Sequence, residues 1–138
     1  MVISNMINGK LVGDKALEVV VGKTITSILG LEEESQQVQI LFSDGSKLNF
    51  HHWQDCCEWV CLYDFELTTS LDKIIGGVIN DAREDGRDAT NDDNECTDES
   101  GYWTFYNINT SRGCINMRWL GQSNGYYSED VSVEFWSR

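Results

Sequence analysis

Two short strings hold most of the side chains in this chain that could do chemistry. The first is His51-His52-Trp53-Gln54-Asp55-Cys56-Cys57-Glu58, and the second is Ser123-Asn124-Gly125-Tyr126-Tyr127-Ser128-Glu129. The first string offers imidazole, carboxylate and thiol groups, the set used by zinc sites and by thiol nucleophiles. Zinc would require four ligands converging on one tetrahedral point. No Cys-x-x-Cys spacing occurs, and adjacent residues do not readily turn toward one ion, so only Cys96 or Cys114 could complete a site through the fold. A nucleophilic thiolate needs a nearby cation or a helix N-terminus. The acids Asp55 and Glu58 work in the opposite direction and are expected to keep both thiols protonated. The sequence therefore predicts no catalytic residue, no metal and no cofactor, and it leaves His52, Gln54, Asp55 and Glu58 as candidate binding residues.

The second string is the stronger binding candidate. Asn124-Gly125 predicts a tight turn, followed by a strand on which Tyr126 and Tyr127 point to opposite faces. One of them would be core, the other presented outward beside Ser128 and Glu129. Tyrosine supplies rigid, amphipathic contact area and is enriched at binding hot spots, although two tyrosines also occur in ordinary hairpins. Arg112 and Arg118 are the nearest basic residues, so an anionic ligand would have to look to them. No phosphate-binding glycine pattern occurs. Asn124, Tyr126, Tyr127, Arg112 and Arg118 complete the candidate binding set.

The net charge of −13 bears on partners. Such a field repels nucleic acid and anionic lipid, because affinity for a polyanion comes from cations that neutralise phosphates. Direct nucleic-acid binding is not expected. The same field attracts basic surfaces, including the phosphate-binding grooves of nucleic-acid enzymes; acidity of this kind also simply keeps a small protein soluble. Much of the charge falls between residues 80 and 99. That stretch reads as a long acidic surface loop, with Asp85, Asp88, Asp92 and Asp93 as a candidate partner surface. Its acids do not fall in the register of a calcium-binding EF-hand loop.

The elements that must position these groups are short. A length of 138 residues corresponds to a single domain, 1–138, able to bury a core of its own. There is no proline, so every turn rests on Gly, Asn, Asp or Ser. Residues 38–42 and 47–51 flank Asp44-Gly45 and predict a hairpin with a type I′ turn. Residues 23–29 read as a strand, and 16–21 are ambiguous between helix and strand. Residues 56–65 read as a strand apolar enough on both faces to be central. Ser70 can cap a short helix over 71–75, stopped by Gly76-Gly77. Residues 102–109, 114–120 and 126–135 read as three strands of a second meander. Ile115, Met117 and Trp119 share one face, as do Val131, Val133 and Phe135. The expectation is an α+β domain, mainly antiparallel β-sheet of about six or seven strands in two meanders, with one or two short helices. No run is long enough to span a bilayer and no secretory leader is evident, so a cytoplasmic protein is expected.

The combination of His52-x-Gln54-Asp55-Cys56-Cys57-Glu58, Glu99-x-x-x-Trp103-Thr104-Phe105-Tyr106 and Arg118-Trp119-x-Gly121-x-Ser123-Asn124-Gly125-Tyr126-Tyr127-Ser128-Glu129-x-Val131 resembles a family of small uncharacterised phage and prophage proteins. The likeness runs from about Lys23 to the C-terminus. It implies a phage accessory protein in the host bacterial cytoplasm and transfers no catalytic residue. Two binding functions are compatible with these observations. One is an acidic inhibitor that occupies the basic surface of a host nucleic-acid-binding defence protein. The other sequesters a nucleotide immune signal, with tyrosine stacking on a base and arginine meeting phosphate. A thiol or metal-dependent enzyme ranks third.

Overall fold

The computed structural model describes residues 10–89 and 99–137. Alternating side chains dictate its first sheet. In β3 (Gln37–Phe42), Val38, Ile40 and Phe42 are buried, and in β4 (Lys47–His51) so are Leu48 and Phe50. The strands pair antiparallel with Val38 opposite Phe50 and Ile40 opposite Leu48, which collects the apolar residues on one face. Strand β2 (Ile25–Leu29) extends the sheet on one side. On the other side come β9 (Ser132–Trp136) and then β1 (Lys10–Val12), giving the order β1-β9-β4-β3-β2. The second sheet has the order β5-β8-β7-β6, built from β5 (Trp59–Leu67), β8 (Gly113–Ser123), β7 (Ser100–Thr110) and β6 (Ile79–Asp88). Two short helices, α1 (Asp14–Val19) and α2 (Leu71–Ile74), complete the described elements. The mainly antiparallel α+β expectation holds, with nine strands among the described residues rather than six or seven.

The two sheets share one core. Ile40, Phe50 and Phe135 from the first belong to the same buried cluster as Leu62, Tyr106, Met117 and Trp119 from the second. The rings of Phe50 and Tyr106 meet edge to face with centroids 4.7 Å apart, joining the layers. Ala16 and Leu17 of α1 and Ile74 of α2 close the cluster.

Several local expectations change in three dimensions. Residues 80–88, read as the start of an acidic loop, form most of β6, whose partner β7 supplies a ladder from Ile79–Thr110 to Asp88–Tyr102, interrupted only by a bulge between Ile79 and Asp81. Acids and glycine disfavour strands in general, but an edge strand carries little burial and uses charge to discourage further pairing. Asp85 and Asp88 therefore lie on an exposed sheet edge; Asp92 and Asp93 lie outside the described residues. Strand β5 is an edge of its ladder, not central. Its outer side is closed at Leu62, whose N–H donates to Ser35 O while its carbonyl accepts from Glu34 N–H. Cys56 and Cys57 precede β5 instead of opening it, and α1 resolves the ambiguity at 16–21 as helix. The C-terminal segment does not continue a second meander. After β8 the chain crosses to the other sheet, and β9 pairs with β4 and β1. The edge of β8 that β9 would have taken is occupied by β5.

The hairpin at Asp44-Gly45 forms, but with a different turn. Gly45 has φ +87° while Asp44 does not share the positive φ a type I′ turn requires. Gly45 N–H donates to Phe42 O, and Phe42 N–H donates to Ser46 O, so three residues connect the strands with glycine in the left-handed position. Asp44 instead accepts from the Ser46 backbone N–H and pairs with Lys23 at 2.5 Å. Those bonds hold its carboxyl well below the usual carboxylate range. Gly45→Val is expected to destabilise the domain by about 1–2 kcal/mol through backbone strain. An unchanged urea midpoint would contradict this turn geometry.

Candidate binding site

The segment from His52 to Glu58 is an irregular loop between β4 and β5, and its order comes from one buried carboxylate. Glu58 is 2% exposed. Its Oε1 accepts from Cys56 N–H at 2.7 Å, and its Oε2 accepts from Asp55 N–H at 2.8 Å. His52 Nε2 lies 2.8 Å from Oε2. Gln54 Nε2 donates to Glu58 O at 2.6 Å. Burial by itself would raise the Glu58 carboxyl; the bond from His52 and the two backbone amides overcome it and hold the group at about 2, against an ordinary 4.5. The other imidazole nitrogen, Nδ1, sits 2.7 Å from Asp130 O. Both ring nitrogens therefore face an oxygen. His52 thus latches the first motif onto the second.

The second motif has its own internal bonds. Asn124 Oδ1 accepts from Tyr126 N–H at 3.0 Å, and Ser123 Oγ accepts from Gly125 N–H at 2.9 Å. Glu129 is gripped by Ser123 Oγ at 2.7 Å and by Ser100 Oγ at 3.1 Å. Gly121 of β8 lets this segment lie directly on the strand, since a Cβ there would fall 2.2 Å from Glu129 O. Tyr126 and Tyr127 are in this loop, not in the strand expected for them. Tyr126 is 82% exposed and meets the edge of the Tyr127 ring at 5.0 Å.

The two motifs form one locus. Tyr127 shares a small pocket with Cys57 and Glu58, and the influence of Cys56 pushes its phenol up to about 12. The Sγ atoms of Cys56 and Cys57 are 3.0 Å apart, both exposed. The bonds from Cys57, first, and from Tyr127 lower the Cys56 thiol, while the same contact raises Cys57. Asp55 and Glu58 push the Cys56 thiol up, as expected, but its hydrogen bonds act more strongly in the opposite direction.

Beside this locus lies a cleft of about 730 Å³ between β6 and residues 127–131. Glu84, Asp85, Glu129 and Asp130 contribute carboxylates, Tyr102 and Tyr127 contribute rings, and no described lining residue is basic. Glu84 also accepts from the Tyr106 hydroxyl, at 2.5 Å. Tyr127 and Asp85 of the sequence-derived set line this cleft. His52, Gln54, Asp55, Glu58 and Asn124 do not line it; Glu58 and Asn124 border a separate, smaller pocket with Cys57 and Tyr127. Arg112 and Arg118 are engaged elsewhere: Arg112 Nη1 donates to Ile75 O at 2.9 Å. Arg118 forks onto Asp64 at 2.7 and 2.6 Å and stacks over Trp103 and Tyr63. Glu84, Tyr102 and Asp130 were not singled out by any motif. Glu84 reaches the cleft because 80–88 is a strand, which its acidic composition concealed, while Tyr102 comes from β7.

A similar buried arrangement sits on the neighbouring strands. His51 Nε2 is 2.9 Å from Glu134 Oε1, and Lys10 Nζ is 3.2 Å from Glu134 Oε2. Among the described residues, no three His, Cys, Asp or Glu side chains converge to hold a metal ion, and no helix is long and apolar enough to cross a membrane. The family model of a domain of unknown function (DUF7448) matches residues 18–133. Neither a curated protein nor a solved structure matches the chain.

Proposed function

The chain belongs to the DUF7448 family, a domain of unknown function, and on that premise we propose that it acts by binding, receiving basic side chains of a partner protein in the acidic cleft. The observation that carries this reading is the lining: four carboxylates and two tyrosine rings with no described cation among them. Carboxylates pair with Lys and Arg, and tyrosine faces attract the same cations. The net charge of −13 adds long-range steering toward a basic surface. In its finer form the proposal is a phage accessory protein in a bacterial host. It would inhibit a nucleic-acid-binding defence protein by covering that partner's phosphate-binding groove. Sequestration of a nucleotide is less favoured, because Arg112 and Arg118 already meet Ile75 O and Asp64.

Capture of partners from bacterial lysate tests the proposal, with the wild-type chain as bait. A basic protein should be retained and should dissociate steeply as salt rises. Asp85→Asn and Asp130→Asn together should weaken that binding about fivefold, from two exposed ion pairs at ~0.5 kcal/mol each. Unchanged affinity in this variant would overturn the cleft as the binding element. A purified sample with excess absorbance near 260 nm would shift the assignment to the nucleotide.

A further inference from the structure

Vicinal cysteines are rarely placed at random on a protein surface with their sulfurs in contact. Here the Cys56 and Cys57 Sγ atoms are 3.0 Å apart and exposed, whereas Cys61 is buried and Cys114 half-buried. The backbone carrying them is held by the Glu58 carboxylate, which accepts the Asp55 and Cys56 amides. A pocket of about 220 Å³ opens beside Cys57, Asn124 and Tyr127. We propose that Cys56 and Cys57 are a redox modification site, a dithiol that hydroperoxides convert into a reversible vicinal disulfide. This inference is independent of the binding proposal.

The chemistry balances with the peroxide as oxidant. The Cys56 thiolate attacks one peroxide oxygen; the S–O bond forms, the O–O bond breaks, and the alcohol or water leaves with a proton. The resulting sulfenic acid is attacked by Cys57: the S–S bond forms, the S–O bond breaks, and the Cys57 proton departs in water. Two thiols lose two electrons, and the peroxide gains them. Cys56 is the attacking sulfur, since the Sγ contact lowers its thiol and raises that of Cys57. Closure requires the sulfurs to approach by about 1 Å from contact to the bonded length of ~2.05 Å. Adjacent Cα atoms are about 3.8 Å apart, shorter than the ~4.4–6.8 Å usual for disulfides, so the closed ring is strained and easily reduced by small thiols.

The test treats the reduced full chain with stoichiometric hydrogen peroxide at pH 7, then alkylates the remaining thiols and maps them by mass spectrometry. The expected result is the loss of two hydrogens, two of the five thiols blocked, and the link found between residues 56 and 57. Dithiothreitol should restore all five. In Cys57→Ser, dimedone should trap a sulfenic acid at residue 56. A wild-type chain that reacts fastest at Cys61, Cys96 or Cys114, or that forms only disulfides between chains, would overturn the proposal. So would the absence of bridging by a phenylarsenical, which needs two adjacent free thiols and no variant.

Discussion

Glu58→Ala is expected to lower the melting midpoint by on the order of 10 °C, far more than a surface carboxylate would. The residue is 2% exposed and accepts from His52, Asp55 and Cys56. Truncation leaves a buried imidazole and two backbone amides without their acceptor, and unmet buried donors are costly. The effect should be non-additive with His52→Ala, since each variant breaks the same contact. Acid supplies a second readout. The Glu58 carboxyl is held at about 2 in the fold against an ordinary 4.5. Its contribution is therefore fully present above about pH 4.5 and is lost as pH falls toward 2. Glu58→Gln should flatten that part of the stability–pH profile while leaving the neutral arm parallel to wild type. Identical acid profiles for the two proteins would show that the carboxylate does not hold the loop.

Trp119→Ala is expected to destabilise the domain by about 3–5 kcal/mol, read as a fall in urea midpoint at unchanged slope. Trp119 is fully buried where the two sheets meet, with Leu62 and Thr104 beside it across the strands. Removing the indole leaves a cavity that neither sheet can close without repacking the other. Trp119→Phe separates volume from polarity. The indole Nε1 finds no hydrogen-bond partner among the described residues. Losing that N–H offsets part of the lost volume, so the phenylalanine variant should fall only about 1–2 kcal/mol below wild type. A loss under about 1 kcal/mol for alanine would mean that the core is not shared between the layers.

Local pattern was enough wherever a strand had one wet face and one dry one. Val38, Ile40 and Phe42, then Ile115, Met117 and Trp119, declared their sheets because a period of two leaves no other way to bury them. Ser70 and Gly76 similarly marked the ends of α2, although the Ser70 hydroxyl makes no capping bond. Charge was legible as well, since it depends on composition alone. The two reactive strings could be named from residue type, but the sequence could not say that they meet. That meeting rests on His52 reaching Asp130 and Tyr127 sharing a pocket with Cys57, over separations of about seventy residues or more. The tertiary structure also decided that 80–88 is an edge strand, because its ladder is supplied by β7 rather than by its own propensity. It decided the role of Glu58 too: an acid next to two thiols predicts repulsion in solution, but buried under amides and an imidazole it becomes the anchor of the loop. Sequence determines what each segment prefers alone; backbone partners and burial, available only once both sheets have closed, decide which preference survives.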